Sequence, residues 1–318
     1  QKANLYEFTI CPFDVNHARN YFIKRFENDD SLVETAARLF QRLKEDSSND
    51  AMSFVGRGFF LSLIADLVSR GFSADRVGDD HQTRLQWIMD ALCQREKTRQ
   101  KLPVDAATQL AILRDFAEMT AKGEPKTTPT LRMILEVMTE LDSKQIDLLV
   151  KSPAKLKDHP LIRYVRESNN WVFTQDQIEY ALLAERILEL CTDTNHSTQL
   201  AGLLTDSRFS KSLQAEVATS IVQQVFEPRT IDNALARCKE IIAAVSNVVG
   251  NADALDTSNS HHAFAGQLAL FAAGRAYARG ADRIERTNAL LNLLPSGQLK
   301  GMQFVGTMNG FDLRDLMI

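Results

Sequence analysis

Glycine and proline are scarce in this chain, 14 and 8 of 318 residues, while Ala, Leu, Glu, Gln, Lys and Arg recur in long runs. So few turn formers and helix breakers point to a mainly α protein. Cysteine is rarer still. Cys11, Cys93, Cys191 and Cys238 stand far apart, without the close spacing of a zinc site or a redox motif, and are expected as reduced, mostly buried thiols. No apolar run approaches the ~20 residues of a membrane helix, and no signal peptide is visible, so a soluble cytoplasmic chain with no membrane partner is expected. Neither sign of charge dominates: the net charge is -4 and the pI about 5.9, which leaves no global basic field to hold nucleic acid. Against these absences, 44% hydrophobic residues are ample for two or three modules and argue against disorder over the whole length.

Familiar chemistry is also missing. No Gly-x-x-x-x-Gly-Lys-Ser/Thr loop occurs to cradle a triphosphate, and no apolar strand ends in paired acids that would hold magnesium. No nucleophile elbow or local cysteine signature marks a hydrolase. Asp79-Asp80-His81 lies in a polar loop before Thr83, where negative charge ahead of a helix is explained by capping. His261-His262 reads as a solvated loop pair. No metal site is expected, and the chain alone is not expected to be an enzyme.

The pattern along the chain is helices and turns. Leu5 to Ile10 resembles one strand with no partner nearby in sequence. Cys11-Pro12-Phe13-Asp14 then breaks into a helix with Val15, Ala18, Phe22 and Phe26 on one face. Ser31 with Glu34 forms a capping box for the next helix, which a polar loop from Asp46 to Asp50 stops. Phe59 to Val68 form another, ending at Arg70-Gly71. A helix boxed by Thr83 and Gln86 runs to about Arg95, and Pro103-Val104-Asp105 opens one through Leu113 and Phe116. After the loop from Gly123 to Pro129 come helices over 130–141 and 144–150. A hairpin follows, with Ile162 to Val165 and Trp171 to Phe173 flanking a turn at Glu167 to Asn170. From Ile178 to Leu294 only helices are read, broken at Asp193 to Asn195, at Glu227-Pro228 and around 250–260. Small side chains crowd 263–280, which implies close helix packing. Met308, Leu313 and Ile318 stand five apart, and Gly310 to Asp315 is similar to one pentapeptide unit, whose solenoid needs several stacked coils.

Asn170 to Ala184 reads as a short strand feeding a helix, with Thr174 and Gln177 fitting a capping box and Gln175 and Asp176 at the helix N-terminus. Unpaired N–H groups and the positive dipole end make such a terminus a place to meet an anion. The segment resembles the winged-helix signature of STAND-type NTPases, including NACHT proteins: a strand ending in Phe, then His-Asp, then a helix rich in Leu and Ala. Phe173, Asp176, Leu183 and Ala184 match; Gln175 stands where the family has a phosphate-reading His. Pro12-Phe13-Asp14 is similar to the end of that family's nucleotide-binding domain. Val55 to Leu61 resembles the helix start where the family places a Pro on the nucleotide base; here Gly58, beside Arg57, takes that place.

The resemblance implies a mainly α fold: a helical domain, a winged helix with a small β-hairpin, then an α-helical stack. It implies the end of the nucleotide-binding domain at 1–28, a helical domain at 29–102, a winged helix at 103–192, a helical sensor at 193–295 and the start of a pentapeptide-like tail at 296–318. The function implied is the regulatory part of an ATPase switch in bacterial antiphage defence or signalling. ATP or ADP with magnesium belongs to the parent, with Arg57, Gly58, Gln175 and Asp176 as nucleotide-facing residues and no cofactor for this chain alone. The implied partners are the parent's nucleotide-binding and effector domains, further copies of itself and a protein trigger. The alternative is a stand-alone helical interaction scaffold. A winged-helix transcription regulator is weaker, because the helix after Thr174 carries Asp176, Glu179, Glu185 and Glu189 against Arg186 alone, a face phosphates would repel.

Overall fold

The computed structural model describes residues 13–44, 58–69, 71, 84–151, 159–192, 196–206, 208–226, 229–247 and 258–278. Among these the chain is mainly helical, with twelve helices and one two-stranded antiparallel hairpin. The expected strand at Leu5 to Ile10, the loop at Asp46 to Asp50 and the pentapeptide-like tail lie outside the described residues. The chain divides into two compact units, residues 1–95 and 96–318.

The first unit holds α1 (Val15–Arg25), α2 (Asp30–Lys44), α3 (Gly58–Val68) and most of α4 (Arg84–Arg99). Helix α1 starts where Asp14 accepts the His17 N–H at 2.7 Å, so Pro12-Phe13-Asp14 is followed by a conventional N-cap. It buries Ala18 and Phe22, while Val15 is exposed and Phe26 serves as the C-cap. Glu27 and Asn28 take left-handed backbone angles, φ 52° and 68°, and turn the chain into α2. The Ser31–Glu34 capping box is corrected here. Asp29 accepts from the N–H groups of both Ser31 and Leu32, and Ser31 already lies within the helix. A carboxylate taking two N–H bonds at the positive helix end outcompetes a hydroxyl taking one. Helix α1 packs on α2 and α3, and α2 on α3, around Phe22, Leu39, Phe40, Phe60 and Ile64. Asp66 on α3 binds Arg95 of α4 at 2.9 Å and Arg25 of α1 at 3.4 Å. Gly71, at φ 83°, ends α3 by donating to the Val68 carbonyl.

The second unit opens with α5 (Ala106–Ala121), capped by Asp105 through the Thr108 N–H. Gly123, at φ 58°, turns the chain towards α6 (Thr128–Met138). Thr127 caps α6, so the helix starts before the expected Thr130 and Pro129 sits in its first turn, where a missing N–H costs nothing. Next come α7 (Ser143–Lys151) and the hairpin β1 (Ile162–Val165) and β2 (Asn170–Phe173), with Ile162 opposite Phe173 and Tyr164 opposite Trp171. The turn is Arg166 to Asn169. Asn169 takes the left-handed angle, φ 54°, and Asn170 belongs to the strand, not to the turn as expected. Three helices followed by a hairpin is the element order of a winged helix. The hairpin is fastened to the α5–α6 loop, where the Lys126 carbonyl accepts the Trp171 N–H at 2.8 Å.

Helix α8 (Asp176–Thr192) follows directly and buries Ile178, Leu182, Leu183, Ile187 and Leu190. Burial of each such side chain is worth roughly 1.5–3 kcal/mol. It packs on α5, α9 (Ser197–Thr205), α10 (Lys211–Phe226) and α11 (Ile231–Asn247). The bend at Asp206 to Ser210, between α9 and α10, was not expected from sequence. Helix α12 (Ser258–Ala278) lies against α10 and α11 and buries Ala265, Ala269, Ala272, Ala273 and Ala276 fully. The small-sided stretch therefore does sit in a packed interface. His261-His262 falls inside this helix, not in a loop.

Candidate functional site

The N-terminus of α8 is built differently from the sequence reading. Thr174 does not cap it: its hydroxyl donates to the Pro160 carbonyl at 2.6 Å and its N–H to the Leu161 carbonyl at 3.0 Å. The backbone carbonyl of Gln175 is the first acceptor of the helix, taking the Ile178 and Glu179 N–H groups. A tertiary acceptor thus captures the hydroxyl that a local motif would assign to the helix. Gln175 is half-buried and Asp176 exposed, so the two adjacent candidates share the first turn of α8. Gly58 opens α3 in the other compact unit, exposed, and a methyl group there would lie 4.0 Å from Cε2 of Phe13. Phe13 is itself exposed and packs edge-on to His17 at 6.3 Å. Arg57 lies outside the described residues, as do Asp79, Asp80, His81, Thr83 and Cys11.

Around the first turns of α8 lies a cluster that sequence reasoning missed. Lys126, only 12% exposed, binds the Glu179 carboxylate at 2.9 Å and stands 5.4 Å from the centre of the Phe173 ring. Thr120 bridges them: its hydroxyl donates to Glu179 and accepts from Lys126. Two turns further along α8, Arg186 donates to Glu118 of α5 at 2.8 Å and to Glu189 at 2.9 Å. Glu118 also takes Lys122 at 2.6 Å, and Arg114 lies 3.7 Å from Glu189. Burial pushes the Glu118 carboxyl up, but the hydrogen bonds from Lys122 and Arg186 outweigh it, so it stays ionised below the usual range. Burial alone raises its neighbour Asp115, against the pull of Arg186.

This cluster corrects the picture of α8 as an unrelieved acidic face. Glu179 and Glu189 are engaged by Lys126, Arg114 and Arg186. The helix weighed against DNA also changes. In a helix-turn-helix the second helix reads bases, and in α5–α6–α7–hairpin that helix is α7, which precedes the hairpin. Its Lys144 is exposed and its Asp147 is paired with Arg132 of α6.

A second polar site lies between α5 and the start of the hairpin. His159 is almost fully buried; its Nδ1 accepts the Leu161 N–H at 3.3 Å, which leaves Nε2 to donate to Gln109 Oε1 at 3.3 Å. Gln109 in turn donates to the Val104 carbonyl at 3.2 Å. Burial holds the imidazole neutral, its pKa lowered to about 4, with Glu96 opposing and Arg99 adding to the shift. Both side chains border a cavity of about 30 Å³ walled by Ile112, Leu113, Leu131, Leu135 and Leu149. That is room for about one water, not for a substrate. The one sequence signal for it is a lone His before Pro at the approach to a strand.

The thiols fit the expected inert class. Cys93 and Cys238 are buried, Cys191 is half-buried, and burial pushes Cys191 and Cys238 up to about 12. Among the described residues no helix is long and apolar enough to cross a membrane, and no group of three His, Cys, Asp or Glu side chains is placed to hold a metal. Compared with family models, curated proteins and solved structures, the chain finds no match in any of the three.

Proposed function

We propose that the chain is the regulatory part of a STAND-type, NACHT-like ATPase switch, working in the cytoplasm in bacterial antiphage defence or signalling. The observation that supports this best is the order of parts in the second unit: three helices, a hairpin, and then α8 with Gln175 and Asp176 in its exposed first turn. In this reading ATP or ADP with magnesium is held by the parent's nucleotide-binding domain. Gln175 offers a neutral amide donor to a phosphate, where a His would change charge with pH. Gly58 leaves the start of α3 open beside the exposed Phe13 ring, where a base would rest. A trigger protein that prefers one arrangement over the other, acting on the α9–α12 stack, shifts the population towards oligomers of the ATP-bound form.

The test is the gene sequence upstream of Gln1. A P-loop coded in the preceding segment supports the switch; a start codon immediately before Gln1 overturns it. ATP hydrolysis by the isolated chain that needed both Gln175 and Arg57 would also overturn it, since the catalytic parts are assigned to the parent.

A helical interaction scaffold is the second reading, favoured by two large apolar side chains left in solvent on one ridge of α6, Met133 at 58% and Val137 at 81% exposure. It predicts a monodisperse chain with no nucleotide contact even when flanking coding sequence is included. Titration with fluorescent ADP separates the two readings.

A further inference from the structure

Helix α8 is clasped from two sides by interactions of different kinds. Towards α5 the contacts are ionic: Arg186 with Glu118, Glu189 with Arg114, and Glu179 with Lys126. These pairs run in opposite chain directions on the two helices, so the helices are antiparallel. Between the charges α5 offers only small groups, Ala117 and Ala121, both fully buried. Past the end of α5 the contact remains ionic in character. The Arg208 side chain lies over Gly123, where a methyl group would fall 2.6 Å from its Cδ, and it attracts Glu124. Asp206 fixes it through bonds of 2.9 and 2.7 Å. Towards α10 the material changes to Val217, Ile221, Val222 and Val225, all buried, plus one bond from Gln224 to the Ala181 carbonyl at 2.9 Å.

The chain crosses between these two sides at one linkage. Thr174 bonds backwards, to residues 160 and 161 of the hairpin approach, and the Gln175 carbonyl bonds forwards, to 178 and 179 of α8. Neighbouring residues therefore belong to different bodies.

We propose that the α5–α8 seam is the line along which this unit opens, the part from α5 to β2 turning about the Thr174–Gln175 linkage while α8 stays with α9–α12 as one block. Parting the seam returns its charges to water, and their hydration offsets most of the lost Coulomb attraction. Parting α8 from α10 exposes aliphatic surface and regains nothing. Cations and carboxylates balance along the seam, so the opened faces do not repel and the same register is recovered on closing. The inference rests on packing alone and stands apart from the nucleotide reading.

Spin labels on the full chain test it. One pair sits at Ala107→Cys, at the far end of α5, and Glu216→Cys on α10; a control pair, Glu216→Cys with Ala236→Cys, lies inside the block, and all three positions are exposed. Raising NaCl from about 0.1 M to about 1 M cuts the screening length from about 10 Å to about 3 Å. The expected result is a several-fold larger long-distance population in the first pair and an unchanged control. Arg186→Met is expected to give the same shift at low salt, and the swap Glu118→Arg with Arg186→Glu to reverse it. If that variant does not fold, the salt series on the unsubstituted seam still decides. Equal broadening of both pairs, or a first pair indifferent to salt, overturns the proposal.

Discussion

The two sides of α8 cover one helix with opposite materials, and the contrast separates stability from register. The α10 side is aliphatic and continuous with the alanine-lined α12 packing, so its contribution scales with area removed from water. The α5 side spends charged side chains on one another. Such pairs contribute little net stability because their hydration is lost, but a displaced pairing leaves a half-buried charge unanswered. The apolar side therefore sets how strongly α8 is held, and the ionic side sets where α5 sits along it.

The largest expected effect tests the aliphatic side. Ile221→Ala should cost about 3 kcal/mol in a denaturant titration, from lost burial plus an unfilled cavity; a loss below about 1 kcal/mol would break the contrast. Next is the ionic side. Arg186→Met strands Glu118, which is 8% exposed, with Lys122 alone, and should cost about 2 kcal/mol. Replacing both Glu118 and Arg186 by Met should recover most of that, and a double-mutant cycle measures the coupling.

His159 sharpens the contrast with a seam that is polar but neutral. Its folded pKa, about 4, lies below the ordinary 6.5, so the unfolded chain binds the extra proton between those values. Stability is then complete above pH 6.5 and falls with pH towards about 4, by up to about 1.4 kcal/mol per unit. Asp115, raised by burial, works in the opposite direction. The quantity to measure is therefore the difference from His159→Gln, which should lose this slope and keep its salt response. The smallest effect is Gly123→Ala, about 1 kcal/mol from φ 58°. The new methyl meets Arg208, which is half exposed and can move aside, so Gly123→Asn should cost less in the same titration.

The helical class and the hairpin were legible because their signals are local. Asp14, Asp105 and Thr127 each stand one residue before a helix and cap it, and the hairpin strands are aromatic and β-branched around a polar turn. What failed depended on partners far along the chain. Thr174 looked like a cap until the Pro160 carbonyl claimed its hydroxyl, and the carboxylates of α8 looked solvent-facing because Arg114 and Lys126 lie more than 50 residues away in sequence. At Ser31 the competitor was close, but Asp29 with two bonds outweighed a matching motif. His159 was overlooked in favour of adjacent pairs such as Asp80-His81, since a single histidine gives no spacing to read. The bend at Asp206 to Ser210 contains neither Gly nor Pro, and its Asp–Arg lock is visible only when folded.

The chain has two tryptophans, and both are buried: Trp87 in the first compact unit and Trp171 in the hairpin of the second, its indole 5.3 Å from the Tyr164 ring. Each unit thus carries its own built-in fluorophore. A Trp87→Phe chain would report by emission on the hairpin unit alone and a Trp171→Phe chain on the other, so the melting of the two halves can be followed separately without attaching a dye.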